Sequence, residues 1–269
     1  MTRILFRSSP ARRQLAVATL VIVTFLVVDA YDWSLYRLAG RGQTAWGDLA
    51  RIVVLRYLAQ IALIAGLVFV GLRILGARHS NVLDALGLAR RAGSGLCFAL
   101  LVCAPLPLVF LGVQGFPDTL PPATNLIRYS ILPGVGEEIL YRGFLFGLLY
   151  RFCAVRFLPA AIFVALSFGF AHIHQGETLS DAAMVGLVTA VGSIWFCWLY
   201  TAWGFNLYVP IGFHSFMNGW WEVFSVAQNA AGPVSGLLAR GAVIALSVIC
   251  TLVWRRCRKV SARSSGTSQ

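Results

Sequence analysis

Residues 134–147 read GVGEEILYRGFLFG, and Glu137, Glu138 and Arg142 stand there in an otherwise apolar stretch. Two further stretches carry polar groups at helical spacing. In FGFAHIHQ, residues 168–175, Phe168 and His172 lie four apart, and in GFHSFMNGWWE, residues 212–222, His214 and Asn218 lie four apart with Glu222 one turn beyond. A carboxylate and an imidazole together can orient and deprotonate a water, while a second imidazole and a carboxamide can donate hydrogen bonds to an oxyanion forming on a carbonyl. Glu137, His172, His214 and Asn218 supply these types, a set suited to amide hydrolysis. Glu137, His172 and His214 are equally three ligands for Zn2+, with a fourth position left for water. The residue types leave both versions open.

Helical spacing divides the three charges. Residues four apart share a helix face and adjacent ones diverge by about 100 degrees, so Glu138 pairs with Arg142 while Glu137 looks elsewhere. The pair reads as structural, because a buried ion pair can fix geometry without supplying chemistry. Glu137 has Leu140 and Tyr141 three and four residues on, hence no basic partner, and reads as the catalyst. Upstream, Pro133, Gly134 and Gly136 are expected to break or kink the helix, which would place both glutamates in the first turn of a half-helix, where free backbone N–H groups favour anions. Gly143 and Gly147 form a small-residue spacing that lets another helix come close, a packing feature only. His174 is expected to point away from His172.

These groups need elements to carry them, and the composition says what those are. The chain has 269 residues, 58% hydrophobic and only 12% charged, with mean hydropathy +0.77. An ordinary soluble domain is about a quarter charged, so this composition belongs to an integral membrane protein. A span needs about 20 predominantly apolar residues. Eight segments qualify, at 14–34, 53–75, 94–113, 126–150, 156–174, 182–203, 206–225 and 236–255. The expected fold is all-α, a polytopic bundle of about eight transmembrane helices in the lipid bilayer. It divides into N-terminal helices peripheral to the motifs (1–115), a catalytic core (116–230), and a last helix with a basic tail (231–269).

The net charge of +12 does not point to nucleic acid, because the basic residues flank apolar runs instead of lining a face. Assigning alternate loops to opposite sides puts Arg3, Arg7, Arg12, Arg13, Arg73, Arg78, Arg90, Arg91, Arg151, Arg156 and the tail from Arg255 to Arg263 on one side. Only Arg37, Arg41, Arg51 and Arg128 fall on the other. Basic loops stay cytoplasmic, so both termini are expected inside, with Arg56, Arg142 and Arg240 within spans. Arg3 to Arg13 followed by Leu15 to Val28 also has the pattern of a signal peptide, but Val28-Asp29-Ala30 is a poor cleavage site and an uncleaved first span is expected. The six cysteines are scattered, form no CxxC, and read as small apolar fillers. An Arg-rich, Lys-poor chain suggests a bacterial inner membrane.

Other intramembrane proteases require residues that are missing. No His is followed by Glu, which removes an HExxH zinc site; Tyr31-Asp32 exists, but the counterpart of an aspartyl GxGD is GVGE; and no GxS offers a serine nucleophile. The stretches EEILYR (Glu137, Glu138, Arg142), FGFAH (Phe168, His172) and HSFMN (His214, Asn218) resemble the EExxxR, FxxxH and HxxxN motifs of the CPBP family. That family comprises CAAX-prenyl proteases, bacteriocin-processing enzymes and abortive-infection or lysostaphin-resistance-like proteins. The resemblance covers roughly residues 120–225, in the right order and on separate spans. It implies an intramembrane endopeptidase in which Glu137 activates water with His172, His214 and Asn218 stabilise the oxyanion, and Glu138 and Arg142 orient the helix. The family is described both as metalloproteases and as metal-free glutamate enzymes, so the resemblance leaves Zn2+ open.

The substrate expected is a membrane-associated peptide or a protein's C-terminal tail. Two other classes compete. A transporter could use Glu137, His172 and His214 as an ion or proton relay, but no inverted repeat is evident. A non-catalytic immunity or resistance protein would find the carboxylates dispensable.

Overall fold

The computed structural model describes residues 9–39, 46–77 and 81–266, with backbone alone at 29–39, 46–52 and 259–266. Arg3, Arg7, Arg41 and Arg78 from the charge count lie outside the described residues, as do the side chains of Tyr31-Asp32 and Asp29-Ala30. The described chain is helical without strands: α1 (Pro10–Ala39), α2 (Trp46–Leu75), a short α3 (Val82–Leu86), α4 (Ala92–Cys103), α5 (Pro105–Gln114), then α6 (Ala123–Leu126), α7 (Leu132–Glu138), α8 (Phe157–His172), α9 (Leu179–Ala202), α10 (Tyr208–Val223) and α11 (Val234–Gly266). Each of the eight expected segments is helical. Six helices are long and apolar enough to cross a membrane: Pro10–Val28, Val53–Leu75, Ala92–Gln114, Phe157–Gln175, Leu179–Ala202 and Val234–Arg258. Their outer faces expose Leu15, Leu58, Leu101, Leu166, Leu187 and Ile249, as lipid contact requires.

The remaining two segments carry Glu137, Glu138 and Arg142 on one and His214 and Asn218 on the other, while Phe168 and His172 lie on α8. Residues 123–152 hold Arg128, Glu137, Glu138, Arg142 and Arg151, too many charges for a lipid-facing span. Helix α10 has 16 residues, a rise of about 24 Å against a hydrocarbon core of about 30 Å. Both therefore need the six longer helices around them. The apolar contacts form two cores. One joins α1, α2 and α8 to the helix of residues 139–149, and the other joins α4, α5, α9, α10 and α11. Phe168 belongs to the first and Phe196 to the second. The polar residues sit on the seam.

The expected break at Pro133 does not occur. Residues 123–152 run helically without interruption, alternating α-helical with wider π-helical turns at Ile127–Ile131, Ile139–Phe146 and Leu148–Phe152. At the first of these, Leu132 N–H reaches the carbonyl of Ile127, five residues back. A proline inside a helix removes one hydrogen bond and crowds the carbonyl four residues behind it; here it follows a wide turn and begins the next α-helical segment. The carbonyl that Pro133 would serve in an α-helix belongs to Tyr129, and Asn218 Nδ2 donates to it at 3.2 Å. The glutamates thus lie inside a continuous helix rather than at a free N-terminus, and the charge of Glu138 is met by side chains.

Gly134 and Gly136 accordingly serve close approach and not an opening of the backbone. A methyl at Gly134 would fall on Ser215 of α10, and one at Gly136 on the ring of Tyr57 of α2. Gly143 faces Leu86 and Leu207, and Gly147 faces Tyr200, so the GxxxG spacing is indeed a packing surface. Gly136→Ala should lower the thermal midpoint in detergent through overpacking of about 1–3 kcal/mol, and Tyr57→Ala in the same chain should restore part of it. Gly66→Ala, with open space around it, should be neutral or stabilising by about 0.5–1 kcal/mol.

Candidate active site

Glu138 is the hub. It is fully buried, and its Oε1 accepts two hydrogen bonds, from Arg142 Nη1 at 2.8 Å and from His214 Nδ1 at 2.8 Å. The pairing with Arg142 follows the helical spacing; the bond to His214, 76 residues away, is tertiary. Arg142 is equally buried. Its guanidinium lies 4.6 Å from the ring centroid of Phe168 and 5.0 Å from that of Phe196, one aromatic face from each core. Such faces carry negative charge density and partly replace the water that the cation has lost.

Phe168 does three things at once. Its ring faces Arg142, lies 4.4 Å from the ring of His172, and meets Tyr141 edge-on at 4.8 Å. Its carbonyl accepts from His172 Nδ1 at 2.7 Å. Both active-site imidazoles therefore have Nδ1 engaged with an acceptor, a carbonyl for His172 and a carboxylate for His214. An acceptor on Nδ1 places the proton there and turns the other nitrogen into a lone pair in the neutral ring. Both Nε2 atoms stand 3.9 Å from Glu137 Oε2, and that oxygen is buried with no hydrogen-bond partner. Three acceptors facing one gap repel each other unless a water, a proton or a cation lies between them.

The donor set fits Zn2+ in kind and in orientation, with each histidine held by an outer hydrogen bond as metal-binding histidines are. It does not fit in spacing: ligands at about 2.0–2.2 Å in a tetrahedral site stand about 3.3–3.5 Å apart, less than 3.9 Å, and among the described residues no group is drawn together as a preformed metal centre. The chemistry of the three atoms outweighs a gap that half an ångström of side-chain movement closes.

Asn218 stands one turn beyond His214, with one amide hydrogen on Tyr129 and the second left to donate. His172, His214, Asn218, Phe168 and Arg142 line a cavity of about 900 Å3, while Glu137 stands behind the two rings with 24% of its side chain exposed. The structure thus gathers Glu137, Glu138, Arg142, Phe168, His172, His214 and Asn218 on one seam. His174 is not part of the cavity wall, and its Nδ1 meets the Ala171 carbonyl at 2.8 Å. Sequence reasoning missed Phe196, which no spacing marks, and the wall residues Trp195 and Gln175.

Residues 119–220 match the family model of the Rce1-like type II CAAX prenyl endopeptidases. The match covers 102 of the 269 residues and is a likeness to the CAAX proteases over that segment. The chain is a multi-pass membrane protein, and the matched segment supports an intramembrane endopeptidase in general type. No curated protein and no solved structure matches it. The matched segment runs from just before α6 to Trp220 in α10 and so contains all seven motif residues, whereas α1 to α5 and α11 lie outside it.

The shared acceptor makes a quantitative statement about stability. Glu138→Gln should leave Arg142 as an uncompensated buried cation, and Arg142→Gln should leave Glu138 as an uncompensated buried anion, each at a cost of about 3–5 kcal/mol in detergent unfolding. The double variant should lose clearly less than the two together, by at least about 1 kcal/mol. Additive losses would remove the pair from the account.

Proposed function

We propose that Glu137, His172, His214 and Asn218 form the catalytic group of this protease, and that it hydrolyses a peptide bond in the C-terminal tail of a membrane-associated protein or peptide. The observation that carries the reading is the meeting of three unbonded acceptor atoms, Glu137 Oε2 and two Nε2 atoms, beside a large cavity. A water held there donates its hydrogens to Glu137 and His172. As its oxygen attacks the scissile carbonyl, Glu137 takes the proton. With the proton that three facing acceptors call for placed on His214 Nε2, the oxyanion accepts from that N–H and from the second amide hydrogen of Asn218, while Glu138 holds the ring at Nδ1. The C–N bond then breaks and Glu137 returns its proton to the leaving amine. When a divalent metal is bound, Glu137, His172 and His214 would hold it, and it would supply Lewis-acid activation of water and carbonyl.

Glu138, Arg142 and Phe168 position this group without entering it. Burial of the cavity floor between two aromatic cores keeps bulk water from dissipating the field of these groups. The tail enters from the end of the bundle where Gln175, Ser225 and Asn229 line the cavity, the end opposite Arg151 and the short α3. With both termini cytoplasmic, that mouth faces away from the cytoplasm, and a bacterial inner membrane is the setting that the composition supports.

Reconstituted in liposomes, Glu137→Gln should lose about 10²–10⁴-fold in cleavage of membrane-tethered peptides while keeping the wild-type thermal midpoint within about 1 kcal/mol. Cleavage that survives the substitution overturns the mechanism, and ion flux without cleavage in the wild type points to transport. Metal analysis of the active protein decides the part played by Glu137, since stoichiometric zinc lost on His172→Ala makes it a ligand instead of a base. For topology, Gln228→Cys at the mouth should react with a membrane-impermeant maleimide from outside intact cells, and the exposed Cys257 should react only after lysis. The reverse pattern inverts the orientation.

A further inference from the structure

Arg240 lies in the second turn of α11, beyond the segment that the family model covers, and it lines the same cavity as His172, His214 and Asn218. A charged side chain in a span of mean hydropathy 2.1 is costly, and such residues usually face a partner or a functional cavity. Arg142 has its partner in Glu138. Arg240 has no ion pair among the described residues, and Glu222, the acid on the same cavity wall, does not approach it within salt-bridge distance. What holds Arg240 is uncharged: its guanidinium lies over the ring of Trp221 at 3.5 Å from the centroid, and Nη1 donates to the carbonyl of Ala230. Ala230 is fixed in turn, its N–H donating to Gln175 Oε1 at 3.0 Å.

The guanidinium is thus stacked on one face and pinned at one nitrogen, while among the described residues Nε and Nη2 have no hydrogen-bond partner and neither is a fully buried, unpartnered atom. A guanidinium offers five donors in a planar fork that matches a carboxylate with two parallel bonds. Stacking fixes the plane of the fork in advance, so less side-chain freedom is lost on binding.

We propose that Arg240 selects the substrate by binding the free C-terminal carboxylate of the tail that the protease cleaves. The proposal rests on the reading of Glu137, His172, His214 and Asn218 as the hydrolytic group at the other part of this cavity. A chain held at both places has its scissile bond a set number of residues from its end. The enzyme then recognises where a protein stops, and an internal segment of the same sequence, lacking the carboxylate, is a poor substrate.

The test uses the full-length protein in liposomes and a library of N-palmitoylated decapeptides, randomised in the last four positions and made both as free acids and as C-terminal amides. The wild type should cleave the acids at least about tenfold faster than the amides, as expected for a charge-assisted bidentate contact. Arg240→Gln should bring the ratio close to one, and Arg240→Lys should retain an intermediate ratio. Because the ratio is taken within one preparation, loss of folded protein cancels. Equal cleavage of acids and amides by the wild type overturns the proposal, and so does an acid preference that survives Arg240→Gln. If the wild type cleaves neither set, the hydrolytic reading fails, and the carboxylate site is read separately from binding of fluorescent acid and amide peptides to Glu137→Gln, where the same ratios apply. Dependence of Arg240→Gln on phosphatidylglycerol in the vesicles, with no dependence on the peptide terminus, assigns the residue to a lipid headgroup and overturns the proposal.

Discussion

One buried oxygen atom organises this protein. Glu138 Oε1 accepts from a guanidinium of its own helix and from an imidazole of another, and in a hydrocarbon environment none of these groups tolerates being left alone. Their bonds tie the helix of residues 123–152 to α10. They also turn the far nitrogen of His214 toward Glu137. Glu138 therefore decides the geometry around Glu137. Arg142 closes the arrangement from below, where Phe168 and Phe196 reach it from opposite cores.

The same economy governs the backbone. A proline costs a helix one N–H, and in a membrane the orphaned carbonyl has no water to turn to. Asn218 meets the Tyr129 carbonyl at this place, and Ser130 Oγ donates back to the carbonyl of Ser215 at 2.6 Å. The two helices are thus joined by hydrogen bonds in both directions, across glycines that leave no room for anything else. Asn218 consequently has its amide plane set by the defect that Pro133 introduces. A carboxamide held in this way does not rotate freely, so its remaining amide hydrogen keeps one direction. The wide turns on either side of α7 agree with the frequent occurrence of π-helical turns at functional sites.

Division of labour between the outer and inner helices follows from solvation. The six long helices present aliphatic surface outward and can each meet the bilayer, whereas the helix of residues 123–152 and α10 are polar or short and rely on the others around them. A cavity of about 900 Å3 at one end gives the polar residues access to water and to a peptide chain without exposing them to lipid. Helix α11 contributes its first turns to that mouth, so the last helix belongs to the site as well as to the bundle.

Much of this was legible in the residue order. Apolar run lengths located the six membrane-crossing helices, because burial in hydrocarbon leaves few alternatives to a helix of membrane-crossing length. The four-residue spacing of Glu138 and Arg142 predicted a bond that forms at 2.8 Å, since neighbours on a helix face are set by local geometry. The isolation of Glu137 from any basic residue marked it for a different part. What the order of residues could not decide is everything that depends on packing between helices. Whether Pro133 breaks a helix depends on whether Tyr129 finds another donor, and that donor is 89 residues away. Gly134 and Gly136 look the same in sequence whether they loosen a backbone or receive Ser215 and Tyr57. The second bond of Glu138 and the placing of Arg240 in the cavity are likewise properties of helices meeting side by side. Local periodicity assigns a residue to a face; only the tertiary structure decides what that face meets.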